Sequence, residues 1–125
     1  IDFNGNTGPF IQYAYARIQS LVRKHNTEVL MPNKVEITAK EQEIIKHLTA
    51  FPAVIQEAAT NYSPALVANY IYDLVKEFNT YYQNTPILNA ESDDLINFRL
   101  GLSAKVGEVI KTAMRLLGAD VPDRM

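Results

Sequence analysis

Apolar residues recur every three or four positions between Leu95 and Leu117, near the end of the chain. This spacing matches the 3.6-residue turn of an α-helix and would place the apolar side chains on one face. A helix with one apolar face must bury it against other elements, so the pattern predicts packed helices. The stripe consists of Leu95, Phe98, Leu102, Val106, Val109, Ala113, Leu116 and Leu117.

A similar apolar face precedes it in the sequence, formed by Tyr70, Leu74 and Phe78. No stretch of useful length alternates with the two-residue period of a half-buried strand, and no internal repeat is visible. The predicted fold class is therefore all-α, a bundle of about five helices with short connections. Arg99 lies within the arc of the last stripe, and we interpret it as a structural arginine that is ion-paired or extends its charge to solvent.

Capping residues and prolines mark the predicted helix boundaries. Thr38 and Glu41 have the spacing of a capping box, which marks the start of a helix. Proline follows both Phe51 and Ser63, and at each place it ends the preceding helix and suits the first turn of the next one. Gly118 suits the left-handed residue that ends a helix. The helices are predicted to begin near Thr7, Thr38, Phe51, Ser63 and Ser92, and the first, fourth and fifth to end near Lys24, Tyr82 and Leu117.

The length of 125 residues and the hydrophobic content of 47% fit residues 1–125 as a single helical domain with its own core. The chain has no cysteine, which excludes disulfides and thiolate metal sites. No apolar run approaches the roughly 20 residues that cross a bilayer, and no signal peptide is visible. We therefore expect a cytoplasmic protein without a membrane partner and, because the sequence begins with Ile1, a fragment of a longer one.

Charge is distributed unevenly along the chain. The net charge of −2 argues weakly against a nucleic-acid partner. Both ends are nevertheless basic, with three basic groups against one acid in residues 1–25 and five against three in residues 95–125, whereas residues 26–94 hold four against ten. If the two ends pack together, they form a basic surface that the total conceals; the alternative is an ordinary scatter of solvated charges.

No constellation of catalytic residues is visible. His25 and His47 lack partners at the spacing of metal ligands, and the sequence contains no P-loop motif. Asp93 and Asp94 fall in the first turn of a predicted helix, where carboxylates complement the helix dipole. We therefore expect the chain itself to hold no metal or cofactor and to perform no chemistry.

The first predicted helix has two different faces. Successive residues lie about 100° apart around a helix, so one arc is apolar and its neighbour is aromatic and basic, without an acid. The apolar arc holds Ile11, Ala14, Tyr15, Ile18, Leu21 and Val22, and the second holds Phe10, Tyr13, Arg17, Ser20 and Lys24. Rings that stack on bases and cations that meet phosphates are typical of single-stranded nucleic-acid binding. Alternatively, Phe10 and Tyr13 pack in the core and Arg17 is a solvated residue at its edge.

Two motifs, one near each end of the chain, resemble a known family. Residues 5–17, GNTGPFIQYAYAR, are similar to the G-x-T-G-P-Y-x-Q-Y-x-x-x-R stretch of arginyl-tRNA synthetases, which opens their helical anticodon-binding domain, known from its D-A-L-R pattern. Residues 114–125, MRLLGADVPDRM, resemble the terminal segment of that family, which typically finishes in R-M. Phe51-Pro52, Ala58-Ala59 and residues 70–74 also fit, so the resemblance covers essentially the whole chain.

The resemblance implies the C-terminal anticodon-binding domain of a class I arginine–tRNA ligase. The parent enzyme would join arginine to tRNA-Arg using ATP, in an upstream catalytic domain whose motifs this sequence lacks. The implied partners are that catalytic domain and the anticodon stem-loop of tRNA-Arg, with emphasis on its middle cytosine, and not DNA. The candidate anticodon-binding residues are Phe10, Tyr13, Arg17, Tyr82 and Met125 by motif match, and Lys24 by its place on the helix face.

The sequence departs from the family pattern at three positions. Phe10 stands where tyrosine is common, which keeps a stacking ring but loses a hydroxyl, and Tyr15 stands where histidine is common. Pro86, four residues after Tyr82, replaces an aromatic residue of some relatives. Two alternatives stay open: a helical protein-interaction domain without RNA, which the acidic middle favours, and the related domain of another synthetase, which the T-G-P stretch and the terminal R-M disfavour.

Overall fold

A computed structural model describes residues 7–25 and 35–118, and this part of the chain forms five α-helices and no strand. The helices are α1 (Thr7–His25), α2 (Ala39–Thr49), α3 (Phe51–Thr60), α4 (Pro64–Asn84) and α5 (Asp93–Leu116). The prediction of an all-α bundle of about five helices is confirmed. The predicted boundaries agree with the observed ones to within two residues.

The centre of the bundle is the pair α4 and α5, which pack against each other. α1 packs against both central helices, and so does α2, but α1 and α2 do not pack on each other to any extent. They therefore flank the central pair from different sides. α3 packs mainly on α4.

The core follows the predicted apolar faces. On α1 the face is buried except for Val22, which is half-buried, and on α4 Tyr70, Leu74 and Phe78 are buried. The middle of the α5 stripe is buried too, but the prediction that Leu116 faces the core is wrong, since 56% of this residue is exposed. The last turn of α5 lies at the end of the bundle beside the α3–α4 connection, where Leu116 and Tyr62 line a shallow groove open to solvent.

Side-chain hydrogen bonds cap the starts of α2 and α5, whereas α3 and α4 begin with a proline in the first turn and without such a bond. Thr38 and Glu41 form the predicted capping box, with Oγ1 of Thr38 accepting from the Glu41 amide at 3.2 Å and Oε1 of Glu41 accepting from the Thr38 amide at 2.9 Å. Gly118 has the predicted left-handed backbone, with φ of 81°. Ser63 precedes α4 as predicted, but its side chain makes no capping hydrogen bond, so Pro64 alone marks this start, through its fixed backbone angle.

A polar network lies inside the apolar core and joins α2, α4 and α5. The side chain of Glu41 is fully buried, and its Oε2 accepts hydrogen bonds from the Tyr81 hydroxyl at 2.6 Å and from Nε of Arg99 at 3.0 Å. Nη1 of Arg99 also donates to the carbonyl of Pro86 at 2.8 Å. The interpretation of Arg99 as an ion-paired structural residue is confirmed.

The buried carboxylate makes stability sensitive to acid. Burial by itself raises the pKa of Glu41, but hydrogen bonds from Tyr81, Thr38 and Arg99 outweigh it and hold this pKa below its ordinary value of 4.5. Because the folded-state pKa is depressed, the stabilisation is complete above the ordinary value and is lost as pH falls through the folded-state pKa. At pH values below 4.5, we expect the urea midpoint of the wild type to fall more steeply with decreasing pH than that of Glu41→Gln. Parallel pH profiles for the two proteins would contradict this assignment.

α5 approaches α1 closely at Gly107. A β-carbon at this position would lie 3.1 Å from Cγ2 of Ile18, so the helices have little room for a larger side chain. We expect Gly107→Val to lower the free energy of unfolding by about 1–3 kcal/mol through overpacking, measured by urea denaturation. Thr112→Val, at an exposed position of the same helix, serves as the control, and equal stability of the two variants would show that the contact can relax.

Candidate nucleic-acid interface

A groove of about 410 Å³ opens between α1, from Tyr13 to Lys24, and the end of α4, and is called the α1–α4 groove below. It is lined by Tyr13, Ala16, Arg17, Ser20, Leu21, Arg23, Lys24 and Tyr82. Its lining contains three basic side chains and two tyrosines, and no carboxylate from the described residues. This composition suits a ligand that carries both aromatic rings and negative charge.

The guanidinium of Arg17 lies over both tyrosine rings of the groove. Its Cζ is 5.4 Å from the ring centroid of Tyr13 and 4.5 Å from that of Tyr82, both within cation–π range. Nη1 of Arg17 also approaches Oδ1 of Asn79 on α4, at 3.5 Å. A flexible side chain is thus ordered before any ligand arrives, which reduces the entropy lost on binding.

The two tyrosines differ in exposure. Tyr13 is 54% exposed, so a large part of its ring is available to a ligand. Tyr82 is half-buried, and its ring centroid lies 6.4 Å from that of Phe78 in the core. Tyr82 therefore anchors Arg17 to the bundle, while Tyr13 presents a stacking surface to solvent.

The structure brings four of the six predicted site residues together and places a fifth, Phe10, elsewhere. Tyr13, Arg17, Lys24 and Tyr82 line the groove, which disfavours the alternative that Tyr13 packs in the core. Phe10 is not in the groove; it is half-buried against the core, with its ring 5.6 Å from that of Tyr72. Met125 lies outside the described residues, so its predicted role is untested, and contact of Phe10 with RNA also stays a prediction.

Arg23, which lines the groove, and Asn79, which contacts Arg17, were not among the predicted site residues. Arg23 could have been found from its place beside Lys24, and Asn79 from its position one turn before Tyr82 on the same helix. α1 packs against α5, the arrangement that a basic surface shared by the two ends would require. The basic groups that line the groove nevertheless all come from α1.

The remaining polar clusters of the described residues look structural. Nδ1 of His47 lies 3.0 Å from Oε1 of Glu77, and the Tyr70 hydroxyl donates to the His47 carbonyl at 2.6 Å. Burial, together with the charge of Glu77, raises the pKa of Tyr70 to about 12. Across residues 7–25 and 35–118, no group of three or more histidine, cysteine or acidic side chains could hold a metal ion. None of the five helices combines the length and apolar character of a membrane span.

Residues 11–125 match the family described as the DALR anticodon binding domain. This chain belongs to that family. The match includes every residue of the α1–α4 groove, so the basic and aromatic lining is part of the DALR domain itself.

Relatives of this DALR domain occur within much longer proteins. The chain is 57% identical over 125 residues to the arginine–tRNA ligase of Flavobacterium psychrophilum and 52% identical over 130 residues to that of Phocaeicola vulgatus. All of this chain is covered in both matches, but only 21% and 22% of those ligases, so the chain spans about a fifth of their length.

Solved structures show the same fold. The arginyl-tRNA synthetase of Thermus thermophilus has a TM-score of 0.89 and 34% identity, over 99% of this chain and 22% of that one. The arginyl-tRNA synthetase of Plasmodium falciparum has a TM-score of 0.80 and 28% identity, again over 99% of this chain and 22% of that one. The fold of the DALR domain is therefore that of one part of an arginyl-tRNA synthetase.

Proposed function

We propose that this chain binds the anticodon stem-loop of tRNA-Arg as the anticodon-binding domain of an arginine–tRNA ligase. The observation that carries this proposal is the guanidinium of Arg17, held within cation–π range of both Tyr13 and Tyr82 in a basic groove. Anticodon loops present unpaired bases and phosphates, the two kinds of group that such a groove recognises. The ligases with which the chain shares its whole length support the same conclusion.

The side chains of the groove have different roles in recognition of the RNA. The exposed ring of Tyr13 stacks on an anticodon base, and the cations Arg23 and Lys24 attract the phosphates of the loop. The guanidinium of Arg17, held near both tyrosine rings, offers N–H donors that match the O2 and N3 acceptors of the middle cytosine. Phosphate contacts thus set the position of the loop, and base-edge hydrogen bonds set its identity.

The catalytic step belongs to the rest of the proposed enzyme. Residues 1–125 act as one helical domain that holds the anticodon, while an upstream domain joins arginine to the tRNA with ATP in the cytoplasm. The free energy gained at the anticodon loop positions the distant acceptor end in that domain. The alternative of a protein-interaction domain predicts apolar residues in place of Arg17 and Lys24, and the composition of the groove disfavours it.

A binding titration tests the proposal. The chain is titrated with tRNA-Arg and with a variant in which another base replaces the middle anticodon cytosine, at two salt concentrations. We expect tighter binding to the cytosine form and weaker binding at higher salt, because cations in the groove release counterions from the RNA. Equal, weak binding to both RNAs would contradict base readout, and no binding even by the full-length ligase would favour the protein-interaction alternative.

Tyr13→Ala removes the exposed stacking surface. We expect the affinity for the anticodon stem-loop to fall by about 1–3 kcal/mol, the range measured for one base stacked on an aromatic ring, and Tyr13→Phe to retain most of it. Because Tyr13 is largely exposed, the urea midpoint should change little. Tyr62→Ala removes another exposed tyrosine, outside the groove, and should leave binding unchanged; an equal effect of both alanine variants would rule out a stacking role for Tyr13.

A further inference from the structure

A second groove, of about 580 Å³, lies between α2 and α5 and is called the α2–α5 groove below. Its lining is mostly apolar, and Lys105 is its one charged side chain among the described residues. The lining residues are Ile45, Leu48, Thr49, Pro52, Asn97, Phe98, Gly101, Leu102 and Lys105. Nothing in this composition attracts a polyanion, so the groove is chemically unlike the α1–α4 groove.

The apolar side chains of this groove are only partly covered by the bundle. Ile45, Leu48 and Phe98 pack against the core on one side and are half-buried. Contiguous apolar surface on a water-soluble domain marks a place where another surface docks. The sequence placed Phe98 in the core-facing stripe of α5. Because Phe98 is only half-buried, this apolar stripe extends beyond the surface that the other helices cover.

The position of the groove indicates what can dock there. The α2–α5 groove and the α1–α4 groove share no lining residue, and α1 and α2 both pack on the central helices without packing on each other. A protein surface can therefore cover the residues of the apolar groove without covering those of the basic one.

We propose that the α2–α5 groove is the docking surface for the catalytic part of the same ligase polypeptide. The inference rests on the proposed function, and it is supported by the length of the relatives, nearly four-fifths of which lies outside the matched region. In the Thermus thermophilus synthetase the same fold is also part of a chain that is several times longer. The docking surface would present apolar side chains to Leu48 and Phe98 and a carboxylate to Lys105.

Cysteine labelling of the full-length ligase, without RNA, tests the docking. The chain has no native cysteine, so single cysteines are placed at Thr49 or Lys105 in the groove, and at Glu108 as a control one turn away on α5. In this domain the side chains of Lys105 and Glu108 have similar exposure, 63% and 70%. Mass spectrometry of the labelled peptides then gives the rate of maleimide reaction at each position.

We expect both groove cysteines to react at least about ten-fold more slowly than the cysteine at position 108, as buried positions in a stable interface do. Equal rates at all three positions would overturn the proposal, and protection that disappears on dilution would assign the groove to a second copy of the chain instead. The labelling rates are measured without RNA, so they do not depend on whether the ligase binds tRNA. Failure of the docking and failure of the RNA function are therefore separate results.

Discussion

Arg99→Met is expected to lower the free energy of unfolding by about 3–5 kcal/mol, the cost of removing one partner from a buried ion pair. The reason is the fully buried carboxylate of Glu41, which would lose its one cation while remaining 2.6 Å from the Tyr81 hydroxyl. The carbonyl of Pro86 would lose its arginine donor at the same time. Urea denaturation at pH 7 measures the change.

Two further variants separate the ion pair from a general effect of losing an arginine. Arg115→Met removes an exposed arginine from the last turn of the same helix and should change stability by no more than about 0.5 kcal/mol. The double variant Glu41→Gln/Arg99→Met should be more stable than the sum of the two single effects implies, because it no longer buries an unpaired charge. Additive single effects would mean that the two side chains do not act as a pair.

Arg17→Glu is expected to weaken binding of the anticodon stem-loop by about 100-fold or more. Hydrogen bonds to charged groups contribute about 1.5–3 kcal/mol each, and the new carboxylate would add repulsion towards the phosphates. The substitution also removes the cation that lies over the rings of Tyr13 and Tyr82. Fluorescence titration with tRNA-Arg measures the affinity of both proteins at one salt concentration.

A charge-matched control makes this result specific to the groove. Lys111→Glu makes the same change in net charge at an exposed position of α5 that does not line the α1–α4 groove. If long-range attraction alone held the RNA, the two variants would lose affinity equally, and the assignment of Arg17 would fail. A direct contact at Arg17 predicts that Lys111→Glu retains most of the wild-type affinity.

Helical periodicity predicted the fold well because it depends on each helix alone. The apolar faces of α1 and α4, the capping box of α2 and the left-handed Gly118 are all encoded within a few neighbouring residues, and all were confirmed. Leu116 was misplaced because periodicity gives the direction of a side chain around its own helix and not where the partner helices end.

The candidate site was predicted only in part for the same reason. Periodicity placed Tyr13 and Arg17 on one face of α1, but Tyr82 lies 65 residues further along the chain than Arg17, and only the family resemblance suggested it. Phe10 shares that face in sequence, but its ring packs against the ring of Tyr72 on α4 and does not line the groove. The sequence did not identify Glu41 as the partner of Arg99, because the capping box already accounted for this glutamate.

The two carboxylate oxygens of Glu41 stabilise a helix start and the buried core at the same time. Oε1 closes the first turn of α2, and Oε2 receives the buried hydrogen bonds from α4 and α5. The first turn of a helix normally frays independently of the rest of a protein. Here the carboxylate cannot leave the cap without also opening the core. Local melting at the start of α2 is thus coupled to global unfolding.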